Sequence, residues 1–209
     1  MAMSTVDTAL ADASVRSSAG IAARRHRWTR DEYHRIADLG VLGGRRVELI
    51  HGDIVEMSPP KEQHVIAVEN VEAAVKRAFG ANQWVRTQAP LSMPDDSEPM
   101  PDVAVVPGPR GRYSDHNHPP GALLVVEVSD STLLIDRTEK AGLYASAGVE
   151  DYWILNLCQR QLEVYRKPIQ DTTCAHGHRY GELKTLAVEE SIAPLAAPER
   201  LIEVAELLL

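Results

Sequence analysis

The sequence predicts a mixed β-sheet flanked by helices, in the α/β or α+β class. Two segments, 102–106 and 122–128, are nearly continuous apolar runs, which is typical of central strands covered on both faces. Between Pro60 and Gly80, apolar residues recur at three- and four-residue spacing, which is typical of a helix packed on a sheet. We find no internal repeat, so one core is expected for these 209 residues.

The N-terminal segment divides into a tail and the start of the domain. Residues 1 to 27 are rich in Ala, Ser and Arg without sustained periodicity, so we predict a disordered tail preceding a domain over 28–209. The alternative for this segment is an arm that contacts phosphates. Thr29 and Glu32 have the spacing of a capping box, which predicts a short helix running toward Leu39 and ending at Gly40.

The next elements are a hairpin and a longer helix. Alternating runs at 45–50 and 53–57 flank His51-Gly52, and glycine permits the tight turn of a β-hairpin. The helix between Pro60 and Gly80 follows, and Gly80 is well placed to end it. Its apolar face is expected to cover the sheet.

The second half of the chain predicts the rest of the sheet. A strand at 84–88 precedes the two apolar strands, and a second helix is expected over 133–147, closed by Gly148. Segments 151–156 and 161–165 predict a C-terminal hairpin. From Pro168 onward we expect a loop followed by edge strands.

Composition excludes some functional classes. The net charge of -8 argues against a constitutive, sequence-independent nucleic-acid binder, because such affinity comes mainly from Lys and Arg. No segment approaches the roughly 20 consecutive apolar residues that a membrane span requires, and no export signal is visible, so we expect a soluble, cytoplasmic protein. Cys158 and Cys174 are expected to be reduced thiols.

Two acidic residues stand at the ends of the apolar strands. Asp102 begins its strand and Glu127 lies near the end of the next, so antiparallel pairing across the loop 107–120 would make them neighbours. Neighbouring carboxylates repel each other, and the usual remedies are raised pKa values or a bound cation. Hard oxygen ligands favour Mg²⁺ or Mn²⁺. The alternative is that each acid ends its strand in solvent, but Glu127 interrupts a wholly apolar segment.

A lysine on the following helix completes this pattern. Asp136, Lys140 and Tyr144 lie at i, i+4 and i+8 and share one face of the predicted helix. Lys140 could orient an attacking water or offset charge developing on a phosphate, as metal-assisted phosphodiester cleavage requires. The alternative is a solvated pair between Asp136 and Lys140.

These residues resemble the PD-(D/E)XK restriction-endonuclease-like superfamily, and in particular the Uma-two family of restriction endonucleases. The core of the resemblance is Pro101-Asp102 followed 25 residues later by Glu127-Val128-Ser129. It extends over about Trp28 to Tyr165 and includes Trp28-Thr29-Arg30-Asp31-Glu32-Tyr33, Val47-Glu48-Leu49-Ile50-His51-Gly52-Asp53-Ile54, Ser58-Pro59-Pro60 with His64, Asp136, Lys140, Tyr144 and Gly148-Val149-Glu150-Asp151-Tyr152-Trp153.

The resemblance implies a restriction-endonuclease-like fold and a set of site residues. Asp102 and Glu127 would be the metal-binding acids, and Glu48 would be a further acid from the N-terminal part. Ser129 stands where the superfamily has a lysine, and Lys140 matches the lysine that this family is thought to carry on the following helix. The implied reaction is hydrolysis in which Mg²⁺ polarises the phosphate and activates a bound water while Lys140 positions that water, without a covalent intermediate.

Several other signals are discounted. His116-Asn117-His118 lacks the spacing of the nuclease motif it spells, and Cys174, His176 and His178 make a poor zinc site, so a surface turn is expected there. Gly108-Pro109-Arg110-Gly111 is not a nucleotide-binding loop, although Arg110 and Arg112 could contact DNA phosphates. A lone His64 is left out of the catalytic set.

Two functions therefore compete. The first is a Mg²⁺-dependent endonuclease acting on DNA, with RNA or a branched structure as other substrates. The second is a non-catalytic module that keeps the nuclease fold and binds nucleic acid or a protein partner, favoured by Ser129 and by the acidic net charge. The sequence leaves homodimerisation open.

Overall fold

The computed structural model describes residues 25–113, 118–174 and 176–208. The elements follow one another as α1 (Arg30–Asp38), β1 (Val47–Ile50), β2 (Asp53–Glu56), α2 (Glu62–Phe79), β3 (Trp84–Thr87), β4 (Val103–Val106), β5 (Leu124–Ser129), α3 (Leu133–Ile135), a π-helical turn (Asp136–Lys140), α4 (Ala141–Ser146), β6 (Asp151–Asn156), β7 (Gln161–Gln170), β8 (His178–Leu186), β9 (Ser191–Ile192), β10 (Ile202–Glu203) and α5 (Val204–Leu207). The predicted order of helices, hairpin and strands is confirmed.

A six-stranded mixed sheet forms the centre of the fold. Its strand order is β3-β4-β5-β6-β7-β8, and the pairing of β5 with β6 is parallel while the other pairings are antiparallel. The hairpin β1–β2 forms its own two-stranded sheet, and β6–β7 is the predicted C-terminal hairpin. This is the mixed sheet flanked by helices that the sequence predicts.

The sheet has an apolar layer on each face. Alternation along β4 directs Val103 and Val105 into a cluster with α2, whereas Ala104 and Val106 join the cluster formed with α4. The two central strands are therefore covered on both faces, as their apolar runs indicate. Within the described ranges, no helix is long and apolar enough to span a membrane.

The helix α1 begins with the predicted capping box. The backbone N–H of Glu32 donates to Oγ1 of Thr29, and the carboxylate of Glu32 accepts from the backbone N–H of Thr29. Residues 1–24 of the predicted tail lie outside the described residues. At the end of that segment, Arg27 donates to the carbonyl of His51 at 2.8 Å and forms an ion pair with Asp53.

The register of β4 and β5 brings the two acids together. Val103 pairs with Val126 in this antiparallel ladder, so the next position along places Asp102 opposite Glu127. The predicted antiparallel pairing of these strands is confirmed. Pleating directs opposed residues to the same face, so both carboxyl groups lie at one end of the sheet.

The predicted helix over 133–147 contains an interruption. Asp136–Lys140 forms a π-helical turn between α3 and α4, so the simple four-residue spacing of an α-helix does not hold there. The alternative of a solvated pair is also wrong, because Asp136 is 1% and Lys140 2% exposed. A π turn inside a helix often marks a functional site, and this one turns two charged side chains into the protein.

The expectation of a loop from Pro168 is wrong. Strand β7 continues to Gln170, and Pro168 pairs with Tyr180 of β8. The pairing of β7 with β6 ends at Arg166, so β7 has only one neighbour beyond that point. Proline lacks an N–H and is tolerated where one side of a strand is unpaired, which explains its place here.

Candidate active site

A cavity of about 280 Å³ opens where Asp102, just before the start of β4, lies beside Glu127, near the end of β5. The start of α2, the turn after β5 and the π-helical turn close its sides. The ionisable side chains that line its centre are Glu48, His64, Asp102, Glu127, Asp136 and Lys140. The structure therefore brings together the four residues that the sequence selects, Glu48, Asp102, Glu127 and Lys140, and adds two more.

Lys140 lies at the centre of these acids. Its Nζ is 3.1 Å from Oε1 of Glu127 and 3.2 Å from Oε2 of Glu48, and all three side chains are buried. Burial by itself lowers a lysine pKa, but the carboxylates of Glu127 and Glu48 outweigh it and raise the pKa of Lys140 above its usual range. These carboxylates therefore favour the charged ammonium form of Lys140 inside the protein.

Glu127 accepts hydrogen bonds from two donors, one on the π-helical turn and one on α4. Its Oε1 accepts from Nζ of Lys140 and from the hydroxyl of Tyr144 at 2.7 Å. Burial raises the pKa of Glu127 well above its ordinary value, and although Lys140 counteracts this, Asp136, Asp102 and Glu48 add to it. Four carboxyl groups thus share one ammonium, and this excess of negative charge favours a cation.

Asp102 is fixed by groups from two elements. Its Oδ2 accepts from the backbone N–H of Val128 at 2.8 Å and lies 3.3 Å from Nε2 of His64. Burial raises the pKa of Asp102, but the hydrogen bond and charge of His64 and the Val128 N–H outweigh it, so the pKa is lowered. Asp102 is therefore an ionised carboxylate beside Glu127.

His64 extends the site toward the start of α2. The hydrogen bond to Asp102 is the main cause that raises the pKa of His64, although partial burial opposes it. Its Nδ1 is buried and has no hydrogen-bond partner among the described residues. The contact with Asp102 thus favours the protonated form of His64 at the cavity wall.

Ser129, which stands where the superfamily has a lysine, has another role. Ser129 is buried, and its Oγ lies 3.5 Å from Oγ1 of Thr132, which donates to Asp136 at 2.6 Å. Burial is the main cause that raises the pKa of Asp136. Ser129 therefore belongs to a polar chain that orients Asp136, while the ammonium comes from Lys140 on the π-helical turn.

The donor set fits a hard divalent cation. Oε2 of Glu48 is buried and lies outside hydrogen-bonding geometry even to Lys140, and Oε2 of Glu127 makes no hydrogen bond to any described residue. Across residues 25–113, 118–174 and 176–208, no three His, Cys, Asp or Glu side chains already converge as ligands. The ammonium of Lys140 lies between Glu48 and Glu127, where a shared cation would compete with it.

Comparison with known proteins identifies the family. A family model, Uma2, described as "Putative restriction endonuclease", matches residues 30–202. The chain belongs to the Uma2 family. No match was found among functionally curated proteins.

The fold of this Uma2 chain is similar to that of a solved structure from Anabaena variabilis, described as "a putative nuclease belonging to DUF820". The two share 13% sequence identity with a TM-score of 0.63, and the match covers 86% of this chain and 96% of the other. At this identity the likeness concerns the fold. The family match and this fold agree with the resemblance that the sequence indicates.

Three residues of this Uma2 site were absent from the set selected by sequence. His64, Asp136 and Tyr144 each touch a selected acid or line its cavity. Asp136 and Tyr144 share the predicted helix face of Lys140, and all three belong to the family resemblance together with His64, so the signal was present in the sequence. The contact of His64 with Asp102 joins elements distant in sequence, so only the structure shows it.

At a pH above the raised pKa of Glu127, Tyr144→Phe is expected to destabilise this Uma2 chain by about 2 kcal/mol, because it removes a buried hydrogen bond to a charged acceptor. Tyr152→Phe is a matched control, since Tyr152 is also fully buried but donates to the backbone carbonyl of Asp136 at 2.9 Å. Because this acceptor is neutral, Tyr152→Phe is expected to lose less stability, about 1 kcal/mol. Urea unfolding of both variants checks this, and equal losses would contradict a charge-assisted bond at Glu127.

The discounted signals form no second catalytic group among the described residues. His116 and Asn117 lie outside those residues. His176 stacks on His51 with a centroid separation of 3.9 Å, and Cys158 and Cys174 are free thiols. Residues Arg110–Tyr113 form a short 3-10 turn and not a phosphate-binding loop.

Proposed function

We propose that this chain is a metal-dependent endonuclease that hydrolyses phosphodiester bonds of DNA, with Mg²⁺ or Mn²⁺ as its cofactor. The observation that carries the proposal is the buried ammonium of Lys140, 3.1 Å from Glu127 in a cavity that Asp102 also lines. Membership of the Uma2 family and the nuclease-like fold support the same class of reaction.

Lys140 supplies the charge that the missing (D/E)XK lysine would supply. Burying an ammonium is costly unless carboxylates surround it, so its position between Glu48 and Glu127 requires both acids. A fixed cation at this point offsets negative charge that develops on a phosphate and orients a water by hydrogen bonding. The π-helical turn is what directs the side chain inward.

Asp102, Glu127 and Glu48 are the residues that would hold the metal. Their oxygens match the ligand preference of Mg²⁺ and Mn²⁺, and the excess of carboxylates over ammonium favours such an ion. A bound divalent cation would polarise the phosphate and lower the pKa of a coordinated water.

Basic side chains at the mouth of the cavity suit a phosphate substrate. Arg46, Lys61 and His64 line it together with the acids. Lys61 donates to Asp130 at 2.7 Å, and that contact raises the pKa of Lys61. These basic side chains place positive charge on the same cavity wall as Asp102 and Glu127, where a phosphate would bind.

Cleavage of plasmid, linear and single-stranded DNA in Mg²⁺, in Mn²⁺ and in EDTA tests the proposal. We expect the wild-type chain to cut with either metal and to stop cutting in EDTA. Asp102→Ala is expected to lower the rate at least about 10³-fold, because it removes a ligand of the ion that activates water.

Glu190→Ala is the matched control for Asp102→Ala. Glu190 is an exposed acid beyond β8 whose carboxylate accepts from the backbone N–H of Ala187, so its loss leaves the cavity intact. Equal cleavage by wild type and Asp102→Ala, or no cleavage by wild type on any of the three substrates, would sink the enzyme proposal. The latter result together with DNA binding would favour the non-catalytic module, the candidate that Ser129 supports.

A further inference from the structure

Three arginines and two aromatic rings form a patch on the edge strand β3 and the 3-10 turn after β4. We call it the arginine–aromatic patch, and it consists of Trp84, Arg86, Arg110, Arg112 and Tyr113. The guanidinium of Arg86 lies 4.7 Å from the centroid of Trp84, and that of Arg110 lies 5.9 Å from it. Arg112 lies 5.9 Å from the ring of Tyr113, which is itself 6.0 Å from Trp84.

The charge of the patch is not neutralised within the described part of the chain. No acidic side chain there forms an ion pair with Arg86, Arg110 or Arg112. The carboxylate of Glu98, in the segment before β4, contacts His34 at 2.9 Å and Arg30 at 3.6 Å. In a protein of net charge -8, three arginines in one place without an ion pair among the described residues indicate a binding site for an anion.

Arg86 gives the strongest indication. It is 7% exposed, and its Nε and Nη1 are buried without a hydrogen-bond partner among the residues that the structure describes. Burial lowers the pKa of Arg86, which reflects the cost of holding a guanidinium away from water. Such a group is retained where a partner supplies the missing acceptors, because an unsatisfied buried donor costs roughly 1–3 kcal/mol.

The patch continues from the active-site cavity along β3. Arg86 pairs with Ala104 in the β3–β4 ladder, and Gln88, two residues further on, donates from its backbone N–H to the carbonyl of Asp102 at 3.0 Å. Residues 84 and 86 point to one face of the strand. At a rise of about 3.3 Å per residue, the row of Arg86 lies roughly 7 Å from that of Asp102.

We propose that the arginine–aromatic patch binds the phosphate backbone of the DNA strand that leads into the active-site cavity. This proposal rests on the proposed function, because it takes DNA as the substrate. The distance from the cavity to Arg86 is long enough to span consecutive phosphates of one strand, which agrees with this proposal. Planar guanidinium groups also donate to phosphate oxygens in pairs. Arg110 and Arg112, both exposed, would contact phosphates further along.

Fluorescence anisotropy of the full chain with a duplex oligonucleotide tests the proposal, in EDTA and again in Ca²⁺, over a series of salt concentrations. We expect Arg110→Gln with Arg112→Gln to weaken binding about tenfold and to reduce the salt slope by about 2, since each phosphate contact contributes roughly 0.9. Arg179→Gln with Lys184→Gln is the matched control. It removes two exposed positive charges from β8, at the opposite edge of the sheet, and is expected to leave the slope unchanged.

Arg86→Met separates binding from folding. Methionine keeps much of the side-chain volume without the charge, so we expect the free protein to melt at the same or a higher temperature while DNA affinity falls about tenfold. A lower melting temperature with unchanged affinity would make Arg86 a structural residue and overturn its role here.

The outcomes are distinguishable from those of the cleavage assay. Patch-dependent binding without cleavage would support the patch and reject the enzyme. Cleavage with the same salt slope in the patch and control variants would overturn the patch and leave the enzyme. Absence of wild-type binding in both EDTA and Ca²⁺ would overturn the patch.

Discussion

Replacing Lys140 by methionine is expected to destabilise the folded protein by about 3–5 kcal/mol, because it leaves buried carboxylates without their cation. Glu127 and Glu48 both lie within 3.2 Å of the ammonium in the wild type. Under the proposed function, the same change is expected to lower DNA cleavage about 10²- to 10³-fold, since it would remove a fixed positive charge beside the phosphate that is cut. Urea unfolding and plasmid cleavage measure the two effects.

Lys76→Met is the matched control for Lys140→Met. Lys76 also lies on a helix and contacts a glutamate, Glu72, at 2.8 Å, but it is exposed. A surface pair of this kind contributes no more than about 1 kcal/mol, so both stability and cleavage are expected to change little. If Lys140→Met cuts DNA within about threefold of the wild-type rate, then Lys140 is not the lysine of this active site.

Replacing Glu127 by glutamine is expected to separate activity from stability. Cleavage should fall at least about 10³-fold, because the amide is a poor ligand for the cation that activates water. The stability of the metal-free protein should be unchanged or higher, because the change relieves repulsion from Asp136, Asp102 and Glu48. Lys140 still forms its ion pair with Glu48 in this variant. The melting temperature in EDTA measures stability. It should fall for Lys140→Met and stay the same or rise for Glu127→Gln, which distinguishes the roles of the two residues.

The stabilising effect of Glu127→Gln should depend on pH. The pKa of Glu127 is raised in the folded protein, so its folded form binds a proton more readily than its unfolded form. Glu127 therefore contributes stability to the folded wild type below about pH 4.5, and this contribution is lost as the pH rises through the pKa of the folded form. The difference in melting temperature between variant and wild type should thus grow as the pH increases above 4.5 in EDTA.

Glu163→Gln provides the contrasting case. Glu163 is also buried, but it accepts from Nε of Arg137 at 2.9 Å, and although burial raises its pKa, the hydrogen bonds from Arg137 and Asn156 lower it overall. Removing this charge leaves a guanidinium without its partner and should destabilise the protein. If Glu163→Gln and Glu127→Gln shift the melting temperature in the same direction, the crowding of carboxylates around Lys140 does not govern stability.

Local sequence patterns predicted the secondary structure well because the forces behind them are local. The capping box at Thr29 and the apolar spacing ended by Gly80 gave helices close to their observed bounds. The pattern failed at Pro168, where only the missing neighbour on one side of β7 allows proline in a strand. It also missed the π-helical turn, since one added residue in a turn leaves little trace in apolar spacing.

The sequence by itself determined the mixed sheet, its order of elements and the opposition of Asp102 and Glu127, because alternation and chain connectivity fix the register of β4 and β5. The tertiary structure alone decided that Lys140 points inward, that Glu48 and His64 reach the same cavity, and that Nε and Nη1 of Arg86 are buried without a hydrogen bond to any described residue. These contacts join residues far apart in the chain. Burial and the sharing of charge depend on such contacts and leave no periodic signal in the sequence.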